Sequence, residues 1–382
     1  MVTRVEVDPK VLIWYREDAG YHDVNSLPKS LRENVIKWES GETQPTWTQL
    51  RKLGDKYKRP ATFFLIKNPP KGIKEDFKDY RTFNEITAEK SPELIFQIRR
   101  AIKRRDLFLD FITEPDNYYS PIKSFKINRN NPEGLAHKIR EALGISIHEQ
   151  VNWSKGDPNH YNALKNWKFL VESLNILVFE TTKVDPKEIR GMAISKPSFP
   201  IILLNGSDKV NGRIFTLMHE LVHIIQNKSS ICDLTEQKDI EVFCNKVAGN
   251  ILVPREDLLE HPLVSNHQGI EWSEKELKSL SNYFGVSKGV IVLRLINLKR
   301  ANNEFYDEKK EEWDKINANT SKKGGGSFDY RTIIKLNGRL FSRQMLNAYE
   351  KNLINQVEFA RYMGIKLKHL PDLRENVGRG SL

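Results

Sequence analysis

Cysteine is almost absent from this 382-residue chain, with Cys232 and Cys244 the whole complement. Two thiols cannot build a disulfide framework, and they fit a reducing compartment. Also missing is any uncharged apolar run near the roughly 20 residues that span a bilayer. The opening Met1-Val-Thr-Arg-Val-Glu-Val-Asp-Pro9 lacks the basic-then-apolar pattern of a secretory signal. These absences predict a soluble, cytoplasmic protein with no membrane partner, and no internal repeat is visible. Apolar residues are somewhat sparse at 39%, yet with 10% aromatics they exceed what a disordered chain carries, so wholesale disorder is excluded. The length predicts two or three domains.

Charge is unevenly spread. The formal net charge of +11 comes from 61 Lys+Arg against 50 Asp+Glu. Residues 1–105 carry 22 basic and 15 acidic side chains, residues 106–298 carry 22 and 24, and residues 299–382 carry 17 and 11. A near-neutral middle (−2) between basic ends (+7 and +6) reads as a catalytic or ligand-binding body with ends able to meet a polyanion; solubilising lysines are the plainer alternative.

The first 70 residues predict short helices at about 9–19, 31–38 and 47–57, with a turn demanded by Gly41 and Pro45. The segment Trp38-Glu-Ser-Gly-Glu-Thr-Gln-Pro-Thr-Trp-Thr-Gln-Leu50 resembles the end of the repressor-type (XRE-like) helix-turn-helix domain, in which such a stretch follows the recognition helix. The resemblance is good over 36–60 and poor upstream, where Asn25-Ser-Leu-Pro28 replaces the expected glycine turn. It implies duplex DNA as a partner, read by Lys29, Arg32, Asn34 or Lys37; the same fold can instead serve as a protein-docking module.

Residues 71–127 read as a helical connector. In the basic stretch Leu94–Asp110, Arg99, Arg100, Lys103, Arg104 and Arg105 oppose Ile95, Ile98, Ile102 and Leu109, which predicts a solvated amphipathic helix. Asn131-Pro132 and Gly144 bracket a helix over 132–143, another follows at about 159–174, and strands are expected at 176–179 and 201–204. Residues 301–327, ending in Asn319-Thr-Ser-Lys-Lys-Gly-Gly-Gly-Ser327, read as a flexible linker before a helical module over 328–382. His261 and His267 are expected at the surface.

The chemistry concentrates at His219-Glu220-Leu221-Val222-His223. Two histidines four apart share one side of a helix and can reach one ion, while the intervening glutamate can act on water. The surrounding Ile214–Ile225 stretch is apolar on nearly every face, so the helix must be buried, and its polar groups then need an ion or firm hydrogen bonds. A catalytic zinc takes three protein ligands and leaves one position open. The third is expected from the downstream helix at about 236–254, with Glu241 the first candidate and Glu236, Asp239 and Cys244 the alternatives.

Phe215-Thr-Leu-Met-His-Glu-Leu-Val-His223, then Glu241-Val-Phe-Cys-Asn245 and Ile251-Leu-Val-Pro254, resemble the ImmA/IrrE metallopeptidases over about residues 128–300. That resemblance implies zinc held by His219, His223 and Glu241, with Glu220 as general base. The family usually has Gly at position 222 and Ala at 244; here they are Val222 and Cys244, and neither change removes a ligand. Asn245, one turn past Glu241, is expected to support the site from behind or simply to pack between helices, and the strand 201–204 to align an extended substrate by edge pairing or to be purely structural. The implied fold is mainly α (α+β): a helical N-terminal domain, a zincin-like domain with a small sheet, and a helical C-terminal module. The implied activity is zinc-dependent endopeptidase cleavage of a helix-turn-helix repressor, in stress responses or mobile-element induction. A DNA-binding transcriptional regulator with a sensing domain and an antitoxin-like protein are the competing readings.

Overall fold

The computed structural model describes residues 3–69, 91–118, 120–226, 234–318 and 330–378, and of 116, 123, 234–237, 317–318 and 378 only the backbone. Of the flexible linker expected over 301–327, residues 303–318 are instead the helix Asn303–Ala318, whose Phe305 is buried; residues 319–327, the connector stretch 71–90, Cys232 and the side chain of Glu236 lie outside the described residues. The chain divides into two compact units; one ends at Arg100 and the other begins at Ala101.

The first unit is helical. Helix α1 (Pro9–Asp18) starts where Asp8 accepts the Lys10 N–H at 2.8 Å and Pro9 presets the first turn. Helix α2 spans Lys29–Glu39, and α3 (Trp47–Tyr57) opens on a reciprocal cap between Thr46 and Gln49. Their apolar faces meet in one core containing Leu12, Tyr15, Val35, Trp38, Leu50, Leu53, Tyr57 and Phe64. Three largely buried ion pairs tie this unit together: Arg16 to Glu39 at 2.8 Å, and Asp18 to both Arg59 and Arg99 at 2.8 and 2.9 Å.

The second unit is built around a three-stranded sheet of order β1-β3-β2, with β1 Leu177–Thr181, β2 Gly191–Ile194 and β3 Ile201–Asn205. Strands β1 and β3 run parallel, with Leu177 opposite Ile201, and β2 runs antiparallel to β3, with Met192 opposite Leu203. Every residue of β1 and β3 is buried, as the apolar runs Leu177–Phe179 and Ile201–Leu204 require of strands covered on both faces. Val178, Ile202 and Leu204 belong to the large core shared with helices Pro132–Leu143, Tyr161–Ser173, Val210–Gln226 and Leu234–Leu252, while Phe179 meets Phe341 at 5.9 Å between ring centres. The expected mainly helical α+β class is what the molecule shows. Strand β3 is not an edge, however: it is the central strand, paired on both sides, so it has no free edge for a substrate. The edges are β1 and the short β2, whose three half-buried residues and buried Ile194 carry a weak strand signal.

Two further expectations are corrected. The helix Pro92–Leu109 is not a solvated amphipath, because its arginines are consumed inside the protein. Arg105 donates to the carbonyls of Phe199 (2.9 Å) and Ser198 (2.7 Å), Arg104 to that of Leu336 (3.3 Å), and burial lowers the Arg99 pKa to about 10 against the pull of Asp18. Nor are His261 and His267 free surface groups: His261 accepts the Leu263 N–H at 3.2 Å, and His267 stacks on Trp272 at 3.7 Å while contacting Glu276. The helices Tyr330–Asn337, Arg339–Glu350, Gln356–Met363 and Leu370–Gly378 belong to the same unit as the sheet.

One buried amide holds the helix ends of this unit together. Gln150, 1% exposed, accepts from Arg140 at 2.7 Å and donates to the carbonyls of Leu252 (2.8 Å) and Phe284 (3.0 Å). Gln150→Leu keeps the volume but strands both carbonyls, so it is expected to cost about 2–4 kcal/mol, read as a lower midpoint in denaturant unfolding.

Candidate metal centre

The helix Val210–Gln226 is wrapped on most sides. Ile214, Leu217, Met218, Leu221, Val222, Ile224 and Ile225 are all buried, so the stripe bearing His219 and His223 is what remains open. One helical turn separates the two imidazoles, whose Nε2 atoms lie 3.0 Å apart. Facing them from the helix Leu234–Leu252, Glu241 places Oε2 3.1 Å from His219 Nε2 and Oε1 3.1 Å from His223 Nε2. Among the described residues, His219, His223 and Glu241 form the group of three whose ligand atoms converge, all within 4.8 Å of one another. Of the alternatives, Asp239 is exposed and outside this group, and Cys244 is buried with its sulfur accepting from Gln226 at 3.0 Å.

The donor set suits a zinc-type ion. Bond lengths of about 2.0–2.2 Å place tetrahedral ligands about 3.3 Å apart, close to the separations seen here. Asn245 Oδ1 accepts from His219 Nδ1 at 2.9 Å, which keeps a proton on Nδ1 and leaves Nε2 as the ring atom facing Glu241.

Electrostatics follow the geometry. Hydrogen bonds from His219 and His223 hold the Glu241 carboxyl far below the usual range. At His219, burial opposes a charged ring, but the hydrogen bond to Glu241 and the charges of Glu220 and Glu241 outweigh it and raise the pKa. Glu220 is buried, and that burial pushes its carboxyl up despite both histidines and a hydrogen bond from the Ala193 backbone. Strand β2 therefore touches the motif directly. A Cβ on Gly191 would stand 2.3 Å from Thr216 Cγ2 and 3.4 Å from Glu220 Oε1, so the strand approaches the helix only because residue 191 has no side chain.

Residues 171–295 match the family model of the IrrE N-terminal-like domain, Peptidase_M78. No curated protein and no solved structure matches the chain. The IrrE-like stretch contains the three strands, both helices of the site, and every residue of the converging group. It supports a metallopeptidase domain, and a cluster able to bind a metal lies within it. Among the described residues, no helix is long and apolar enough to cross a membrane.

The four residues considered for DNA stand on α2 of the first unit. Lys29, Asn34 and Lys37 are exposed, with Lys37 3.8 Å from Glu42. Arg32 is folded back, donating to the carbonyls of Asn25 (2.5 Å) and Leu27 (3.0 Å). The contributions of Gly191 and Ala193 escape sequence reasoning because one is a missing side chain and the other a backbone N–H. Arg213 and Glu180 escape it too, although single charges inside apolar runs were a signal: Arg213 Nη1 meets Glu180 Oε2 at 2.7 Å, two turns before His219 on the same helix.

Asn245→Ala removes the acceptor that orients His219 without touching a donor atom. It is expected to weaken zinc binding by about 10–100-fold, measured by competition with a chromogenic chelator.

Proposed function

We propose that the chain is a zinc-dependent endopeptidase that cleaves a regulatory protein of the helix-turn-helix repressor type. The convergence of His219, His223 and Glu241 beside the buried Glu220 carries this reading. Zinc, when bound, supplies a Lewis acid that polarises the scissile carbonyl and makes water a nucleophile near neutral pH. His219 and His223, through Nε2, and Glu241, through its carboxylate, would hold it, with the Asn245 hydrogen bond to Nδ1 orienting His219. The buried Glu220 carboxylate takes the proton of the attacking water and passes it to the leaving nitrogen. Strand β2, the edge of the sheet that lies beside Glu220, receives an extended substrate by main-chain pairing. The substrate class rests on the resemblance to the ImmA/IrrE peptidases.

The test is to measure bound zinc and to incubate the protein with the products of neighbouring genes. Wild type is expected to hold one zinc and to cleave one such protein. Glu220→Gln is expected to keep the zinc and lose about 10²–10⁴-fold in cleavage rate. Absence of zinc, or cleavage indifferent to that substitution, sinks the proposal.

The first unit favours a second role, in which the chain also binds duplex DNA, because α2 presents Lys29, Asn34 and Lys37 to solvent in a segment of positive net charge. Affinity of the full chain for a duplex is then expected to fall linearly in log–log terms with salt. Lys29→Glu with Lys37→Glu should reduce that slope by about 2. A slope unchanged by the pair argues for protein docking by this unit.

A further inference from the structure

A cavity of about 620 Å³ opens in the unit that holds the sheet, between the helices Tyr161–Ser173 and Tyr330–Asn337 and the start of Arg339–Glu350. Six cationic side chains line it: Lys165, Lys168, Arg213, Arg331, Lys335 and Arg339. Against them stand two carboxylates, Glu172 and Glu180, leaving a formal excess of four positive charges.

Both carboxylates are already committed to the fold. Glu180, 2% exposed, receives Lys168 Nζ at 3.0 Å and Arg213 Nη1 at 2.7 Å, with Lys335 Nζ 3.7 Å away. Glu172 accepts the backbone N–H groups of Arg339 (3.1 Å) and Leu340 (3.3 Å), capping that helix from inside. Burial pushes its carboxyl up to about 7, so near neutral pH it neutralises less than a full cation. Gly338 makes this cap possible, since a Cβ there would lie 2.4 Å from Glu172 Oε1. Arg213 is 2% exposed, lines the cavity, and has an Nε without a hydrogen-bond partner. A buried guanidinium nitrogen left unpaired beside a cationic cavity is a donor awaiting an acceptor.

The remaining lining bears on what that acceptor belongs to. A bare inorganic anion would leave most of 620 Å³ to water, and the volume falls in the range of small-molecule sites. Tyr161, 57% exposed, and Tyr330 offer rings at the same cavity. Arginine forks match phosphate oxygens, and aromatic faces match a flat heterocycle. We propose that this cavity is a binding site for a small organic phosphate carrying a flat ring, of nucleoside diphosphate size. The site is separate from the metal-binding group and does not depend on the peptidase reading.

Calorimetric titration of the full-length protein with ADP and with inorganic pyrophosphate tests it. The expected result is saturable one-to-one binding of ADP below about 1 mM, with pyrophosphate about tenfold weaker or more. Lys165→Glu combined with Lys335→Glu should weaken ADP by about tenfold or more. Should that pair disturb folding, Tyr161→Ala on the exposed ring should weaken ADP and leave pyrophosphate unchanged. Glu220→Gln should bind ADP like wild type, which separates failure here from failure of the peptidase reading. Lack of saturation, equal binding of pyrophosphate and ADP, or ADP binding indifferent to both sets of substitutions overturns the proposal.

Discussion

A helix that is apolar on nearly all sides has to be enclosed, and every ionisable group it carries must then find a partner in the enclosure. The helix Val210–Gln226 carries four: Arg213, His219, Glu220 and His223. Three neighbouring elements answer them. Glu180 on β1 meets Arg213, the backbone of β2 meets Glu220, and Glu241 with Asn245 from the helix Leu234–Leu252 meets the histidines. The sheet and the neighbouring helix are thus held at the distances these polar contacts require, and desolvation makes each partner obligatory rather than optional.

What could be read in advance, and what could not, divides along physical lines. Local rules worked where the cause was local. Asn131 and Gly144 delimited the helix Pro132–Leu143, and the four-residue spacing of His219 and His223 put both rings on one face. Glu241 stood out because it flanks the apolar face of its helix. Long-range answers had no such signature. The arginines of Pro92–Leu109 look solvated by periodicity, yet their long stems bury easily and their heads find carbonyls at Ser198, Phe199 and Leu336, far along the chain. Likewise β3 resembled a possible edge because its partner β2 is only four residues long and opens with glycine.

The two polar clusters of the second unit use burial in opposite ways. At Glu180 the carboxylate is overcompensated: burial pushes its pKa up, but Lys168, Arg213 and Lys335 outweigh that and hold it down. At Glu220 the compensation is incomplete and the pKa stays raised. The first arrangement stabilises a fixed charge, whereas at Glu220 desolvation outweighs the two histidines and the β2 backbone.

The three converging groups differ in how deeply they sit. The side chains of His219 and His223 are 14% and 24% exposed, but that of Glu241 is 53% exposed. An ion held there would have its solvent path on the carboxylate side. Exchange with the medium would then be paced by rotation of one glutamate side chain, without any opening of the packed helices. A chelator too bulky to pass that side chain would strip the ion slowly however tightly it bound, and occupancy would be governed by access as much as by affinity.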